Sequence, residues 1–215
     1  PLILVMNNKQ TIDGEQDADG IAKRGKLYAN IDTVAKTRGI LNGNTIVSTV
    51  MSNSGLINSL KDIDISCQQT NVGDRFVYEC MQQNDYSLGG EQSGHIILKK
   101  YATTGDGILT SLKIMEVMLA KEKPLSELAA PMKMYPQVLK NIRVENKAAV
   151  NANVAVQAEV KAVAEELGKS GRILLRESGT EPVIRVMVEA PSEEICEKYV
   201  DGVIDVIKAK GHIAE

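Results

Sequence analysis

Two stretches of this chain bring together side chains whose types and spacing could bind a charged, hydroxylated ligand. The first is Arg176-Glu177-Ser178-Gly179-Thr180-Glu181-Pro182, followed shortly by Arg185. Ser178 and Thr180 offer hydroxyls, the backbone between them offers closely spaced N–H groups, and Gly179 would let that backbone approach a ligand. Arg176 and Arg185 can each present paired N–H donors to an oxyanion. Together these are the parts of a phosphate site, and a polar hairpin with solvated arginines is the competing reading. The second stretch is Gly89-Gly90-Glu91-Gln92-Ser93-Gly94-His95. A carboxylate accepts from hydroxyl groups, while Ser and Gln both donate and accept, so Glu91 and Ser93 suit a polyol or sugar. His95 adds an imidazole able to move a proton near neutral pH. Against these stand a capped tight turn for Glu91 and Ser93, and a structurally held histidine for His95.

These residues need elements to hold them. Ile173-Leu174-Leu175 and Val183 to Val188 read as β-strands flanking the arginine loop. Tyr86-Ser87-Leu88 and Ile96-Ile97-Leu98 flank the glycine-rich loop. Upstream, Thr45 to Val50 forms a β-branched strand, Leu56 to Leu60 a helix, Ile63 to Cys67 an alternating strand, and Phe76 to Met81 a helix. Strands alternating with helices predict an α/β domain with a mixed, largely parallel sheet and flanking helices. In such sheets ligands gather at loops beyond the carboxyl ends of strands, where Glu91 to His95 fall. Ile108, Leu112, Met115 and Leu119 share one helical stripe and are expected to be buried.

Pro124, Pro131 and Pro136 mark a boundary. Beyond it Val138 to Val144 reads as a strand. A helix carries the stripe Val156, Val160, Val163, Leu167 and ends at Gly168. The two strands of the arginine loop follow. A last helix then opens at Pro191-Ser192-Glu193-Glu194 and carries Ile195, Tyr199, Val206 and Ile207. The order β-α-β-β-α predicts a smaller α+β domain. The expected organisation is a remnant of a preceding domain or linker at 1–41, an α/β sugar-binding domain at 42–123, a linker at 124–135 and a phosphate-binding domain at 136–215.

The chain has 215 residues, a net charge of −3 and 3% aromatic residues with no Trp. This argues against a basic stripe or stacking platform for nucleic acid. Cys67, Cys80 and Cys196 form no metal-ligand pattern and fit reduced thiols in a cytoplasmic protein. No apolar run reaches membrane-spanning length, so no membrane partner is expected. The opening run Pro1 to Met6 reads as a strand entered midway, so the chain is expected to be part of a longer one. Asp13, Asp17 and Asp19 lie in an acidic stretch with alternate carboxylates. A calcium loop would need a downstream Glu where Lys23 and Arg24 stand, so a solvated acidic loop is expected and no metal ligand is assigned.

Gly90-Glu91-Gln92-Ser93-Gly94-His95 followed by Arg176-Glu177-Ser178-Gly179-Thr180-Glu181-Pro182 resembles the α-D-phosphohexomutase superfamily. Gln92 and Gly179 resemble its phosphoglucosamine mutase branch, as do Thr49 to Asn53, Val72 to Arg75 and Thr103 to Gly107. The resemblance covers residues 42–215. It implies an intramolecular phosphotransferase of four domains, the last two of them in this chain. The enzyme would interconvert glucosamine 6-phosphate and glucosamine 1-phosphate through a bisphosphate, for UDP-N-acetylglucosamine and cell-wall synthesis. It implies that Glu91, Ser93 and His95 bind the sugar, and that Arg176, Ser178, Gly179, Thr180 and Arg185 hold the phosphate that is not reacting. A bisphosphate that reorients needs a grip that takes either phosphate, hence an electrostatic one. The resemblance also implies a phosphoserine and a magnesium ion. No Thr-Ala-Ser-His-Asn-Pro loop occurs, and Asp17-Ala18-Asp19-Gly20 lacks the Arg of the family's Asp-Gly-Asp-x-Asp-Arg metal loop, so the phosphoryl carrier and the magnesium ligands are expected outside this chain. The isolated chain is then expected to bind a hexosamine phosphate without turning it over. The resemblance leaves room for a homodimeric full-length enzyme. Another phosphohexomutase, or a non-catalytic phosphosugar-binding module, stays open.

Overall fold

The structure, a computed structural model, describes residues 41–212 apart from Pro131 and Thr180. The acidic stretch at 13–20 lies outside the described residues, and so does Thr180 of the arginine loop. The chain divides into two units, Pro1–Met134 and Tyr135–Glu215.

In the first unit, β1 (Thr45–Thr49), α1 (Ser54–Lys61), β2 (Ser66–Thr70), α2 (Asp74–Gln83), β3 (Leu88–Gly90), β4 (Ile96–Leu98), α3 (Gly107–Lys121) and α4 (Leu125–Ala129) follow in order. The sheet runs β2-β1-β3-β4, with β1 parallel to β2 and β3, and β4 antiparallel at the edge. All five residues of β1 are buried, which is why it is so rich in β-branched residues. Adjacent residues of β1 point to opposite faces. Ile46 joins Leu56, Leu60, Leu88 and Ile114 in one core, while Val47 joins Val77, Met81 and Ile97 in the other. This makes a three-layer α/β/α unit. Asn53 and Asp106 cap α1 and α3 by accepting from Gly55 N and Leu109 N, each cap contributing about 1 kcal/mol.

Three expectations are corrected. The second strand begins at Ser66 rather than Ile63, because the chain turns at Asp62–Asp64, where Asp64 takes φ 54°. The 124–135 stretch is not a bare linker: it carries α4 and buries Met132 in the first unit's core. The stripe Ile108, Leu112, Met115 and Leu119 is exposed, at 78%, 55%, 41% and 80%. The opposite face of α3 packs inward through Thr110, Ile114 and Val117. Helix α3 is apolar around most of its circumference, so its period cannot choose the buried face. Leu112→Lys is therefore expected to change the stability of this chain by no more than about 0.5 kcal/mol in urea unfolding. A loss of about 2 kcal/mol would show that the stripe is covered in solution.

The second unit contains β5 (Gln137–Arg143), α5 (Lys147–Ala152), α6 (Val154–Leu167), β6 (Arg172–Glu177), β7 (Val183–Glu189) and α7 (Glu193–Ala209). Its sheet is antiparallel in the order β5-β7-β6. Ile184, Val186 and Val188 of β7 meet Val156, Val163 and Leu167 of α6 and Val200, Val203 and Ile207 of α7. The expected stripe of α6 is therefore the core stripe, with Val160 packed beside it. In α7 the buried face is Cys196, Val200, Val203, Ile204 and Ile207, and Ile195 lies 37% exposed. Ser192 caps α7 by accepting from Ile195 N, as its sequence predicts. On the other face of β7, Glu189 is 1% exposed and accepts from Arg172 on β6 and Gln137 on β5. Cys67, Cys80 and Cys196 are free thiols. Among the described residues no helix is long and apolar enough to cross a membrane.

Candidate functional site

The first unit gathers its polar side chains where its sheet topology predicts. Connections leave β1 toward β2 on one side and return to β3 on the other, so the strand order reverses around β1. Loops at the carboxyl ends of β1, β2 and β3 converge at such a point. Thr49, the last residue of β1, donates to Gln92 Oε1 at 2.9 Å. Gly73, in the turn after β2, donates its N–H to Glu91 Oε1 at 2.5 Å. Asp74 Oδ1 lies 3.0 Å from His95 Nδ1, and Thr104 donates to Asp74 Oδ2 at 3.0 Å. Ser93 Oγ lies 3.3 Å from Glu91 Oε2 and 3.4 Å from His95 Nδ1. Glu91, Ser93 and His95 are thus one hydrogen-bonded group, ordered by Asp74.

The glycines here serve the backbone. Gly89 and Gly90 are strand residues of β3, where a Cβ would meet Met81 and Val77 or the carbonyl of His95. Gly94 takes φ 97°, which closes the turn. The Glu91 side chain is only 7% exposed. Burial raises its pKa, the Gly73 N–H pulls against that, and the Asp74 carboxylate adds to the rise. A buried carboxylate with protein donors on both oxygens can accept a hydroxyl from a ligand that enters beside Ser93. Asp74, Glu91 and His95 also place three ligand atoms within 4.8 Å of one another. They do not fit magnesium, which takes oxygen ligands in octahedral geometry. One of the three atoms is imidazole nitrogen, and both carboxylates are already engaged by Gly73, Ser93 and Thr104.

The second unit builds the arginine loop as the turn between β6 and β7. Arg176 and Arg185 are directly opposite in the antiparallel register, so both guanidinium groups leave the same face of the sheet. Like charges so placed repel, and Glu181 offsets part of that by pairing with Arg185. Arg185 Nη2 donates to Ser178 Oγ at 3.4 Å and to Glu181 Oε2 at 3.1 Å. Its Nε is buried with no hydrogen-bond partner. Ser178 is buried, and its N–H donates to Val183 O at 3.0 Å. Gly179 is exposed, its φ is not positive, and a Cβ there would meet nothing within 4 Å. What Gly179 leaves is open space beside the loop. Gly179→Ala is expected to leave the melting temperature unchanged and to weaken phosphate binding several-fold by calorimetric titration, because the methyl group enters that space. A loss of stability with unchanged binding would contradict this.

Sequence reasoning noted the stretches that carry Thr49, Asp74 and Thr104 but gave these residues no role in holding the first loop, and it missed Lys147 and Asn151, which hold the second. Lys147 Nζ donates to Ser178 O at 2.7 Å and Glu181 O at 3.3 Å, and Asn151 donates to Glu177 Oε1 at 2.6 Å. One signal was available for Lys147. A cation in the first turn of a helix opposes the helix dipole, so its placement there points to a partner elsewhere.

Comparison with known proteins gives matches to two domains of one family. Phosphoglucomutase/phosphomannomutase alpha/beta/alpha domain III matches residues 26–135, and the C-terminal domain of the same family matches residues 139–206. Residues 26–41, expected to belong to a preceding segment, fall within the first match. A phosphoglucosamine mutase of Lachnospira eligens is 64% identical over 177 residues, 82% of this chain and 39% of the relative. One from Shouchella clausii is 48% identical over 207 residues, 96% of this chain and 44% of the relative. The chain thus spans about two fifths of the length of the curated relatives it matches. Among solved structures, Aspergillus fumigatus N-acetylphosphoglucosamine mutase in complex with GlcNAc-6P and magnesium has a TM-score of 0.73 at 18% identity. It aligns with 88% of this chain and 44% of its own. An N-acetylglucosamine-phosphate mutase in its substrate complex has a TM-score of 0.70 at 20% identity, over 86% of this chain and 43% of its own. At these identities the likeness is one of fold.

Proposed function

Because this chain belongs to the phosphoglucomutase/phosphomannomutase family, we propose that it supplies substrate-binding sites of a phosphoglucosamine mutase. The reaction is the interconversion of glucosamine 6-phosphate and glucosamine 1-phosphate through a bisphosphate. The observation that carries the reading is the cross-strand pairing of Arg176 with Arg185 beside the buried Ser178. Such a cationic grip neutralises a phosphate dianion without taking part in bond chemistry. Glu91 accepts a sugar hydroxyl, Ser93, whose O–H is given to Glu91, accepts another, and Asp74 orients His95 at the rim of the same group. His95 is a binding residue in this reading.

The phosphoryl carrier belongs to the part of the enzyme that these 215 residues do not include. Magnesium supplies charge neutralisation at the transferring phosphoryl group when bound. Asp74, Glu91 and His95 do not fit that ion, and in this reading its ligands lie outside this chain. The names of the curated relatives favour glucosamine phosphates over other hexose phosphates. The activity belongs in the cytoplasm, where precursors of the bacterial cell wall are made and where three free thiols persist.

The test is calorimetric titration of this chain with glucosamine 6-phosphate, glucosamine 1-phosphate and glucose 1-phosphate. Saturable binding of both amino sugar phosphates, tighter than of glucose 1-phosphate, is expected. Equal affinity for glucose 1-phosphate would move the assignment to another hexose phosphate, and no binding of any of them would overturn it.

A further inference from the structure

Helix α5 has six residues, yet two of its side chains reach the turn that follows β6. Asn146 caps it by accepting from Ala149 N, which fixes the first turn and with it the direction of Lys147. The partly buried Lys147 spans the loop from behind: its ammonium holds the carbonyl of Ser178 at 2.7 Å and that of Glu181 at 3.3 Å. One turn further along α5, Asn151 Nδ2 holds Glu177 Oε1 at 2.6 Å. The loop is therefore tied to α5 at the end of β6 and again on both sides of Gly179.

The chemistry of this tie is specific. A loop that binds a dianion must keep its carbonyl oxygens away from the ligand, because each is the negative end of a peptide dipole. Lys147 engages the carbonyls of Ser178 and Glu181, on either side of Gly179. It also places a positive charge behind the loop, while Arg176 and Arg185 stand on its strands. We propose that Lys147 is a positioning residue of the phosphate site: it holds the Ser178–Glu181 turn in its anion-accepting form and adds to the field at the phosphate without touching it. This rests on the phosphate reading of the arginine loop.

The experiment uses this chain, inorganic phosphate as probe, and three variants measured by calorimetry and thermal melting. Lys147→Met keeps the aliphatic stem and removes the charge. It is expected to weaken phosphate binding about tenfold while the chain still melts cooperatively, with Lys147→Arg recovering most of the affinity. Arg176→Ala is the control for the site itself. If Lys147→Met binds phosphate like the unsubstituted chain while Arg176→Ala does not, Lys147 is merely a structural tie and the inference is overturned. If both variants bind like the unsubstituted chain, the phosphate site is misplaced and the inference falls with it. Should Lys147→Met fail to fold, Lys147→Gln decides. Its amide can hold one carbonyl without charge, so weakened binding supports the inference and full affinity overturns it.

Discussion

Replacing Arg176 with alanine is expected to weaken binding of glucosamine 6-phosphate about 100-fold, from the loss of charge-assisted hydrogen bonds that contribute about 1.5–3 kcal/mol. The same substitution is expected to leave the fold at least as stable as before. Arg176 stands opposite Arg185 across β6 and β7, and like charges directly opposed in an antiparallel pair are destabilising. Removing one relieves the other. This combination separates a ligand-binding arginine from a structural one. The contrast within the same sheet is Arg172, which forms a fork with the buried Glu189 four residue pairs further along. Loss of a charge there would strand its partner and cost stability. Calorimetry and thermal melting of the Arg176→Ala chain test the assignment together. Unchanged affinity, or a melting temperature lower by many degrees, would show that Arg176 serves the sheet and that the phosphate is held elsewhere.

Much of this was legible in the sequence, for reasons that differ between elements. β1 was readable because five consecutive buried residues demand β-branched and small side chains. Helix α6 was readable because apolar residues occupy one stripe and Ala, Glu and Lys the rest, so the period names the buried face. Helix α3 has apolar residues around most of its circumference, and its period allowed two opposite stripes. The wrong one was preferred, since only the approach from β4 and the Asp106 cap fix its rotation. The start of β2 was missed because Ile63 and Ile65 alternate as a strand would, while the turn at Asp64 depends on a positive φ that Asp tolerates. At the site, local motifs exposed Glu91, Ser93 and His95 because they are neighbours in sequence. The contacts of Asp74 with His95 and Thr104 were not readable, although both stretches resemble the family, because they meet only once the sheet brings three loops to one edge. Lys147 was hidden in the same way, 31 residues from Ser178.

The second large effect is expected at Glu91, where stability and binding should respond to pH with opposite signs. Burial raises the Glu91 pKa above its ordinary value, against the pull of the Gly73 N–H, and Asp74 reinforces the rise. The folded chain therefore binds this proton more tightly than the unfolded chain. Its contribution to stability is fully present below the unfolded value and is lost as pH rises through the folded value. Accepting a sugar hydroxyl needs the carboxylate, so affinity should rise across the same interval. Glu91→Gln keeps the shape and an oxygen to accept from Gly73, and it removes the titration. At neutral pH it is expected to be as stable as the parent chain or more so, while binding glucosamine 6-phosphate about 30-fold more weakly, since a hydrogen bond to a charged acceptor contributes about 1.5–3 kcal/mol. Urea unfolding and calorimetry of both chains at a series of pH values isolate Glu91, because every other titrating group is common to the two. The difference in stability should shift toward the glutamine variant as pH rises, while the difference in affinity shifts toward glutamate. Parallel stability curves would mean that the carboxylate is not buried in solution. An affinity that ignores both the substitution and pH would remove the sugar from this loop and leave Glu91 a strut for the Gly73 turn.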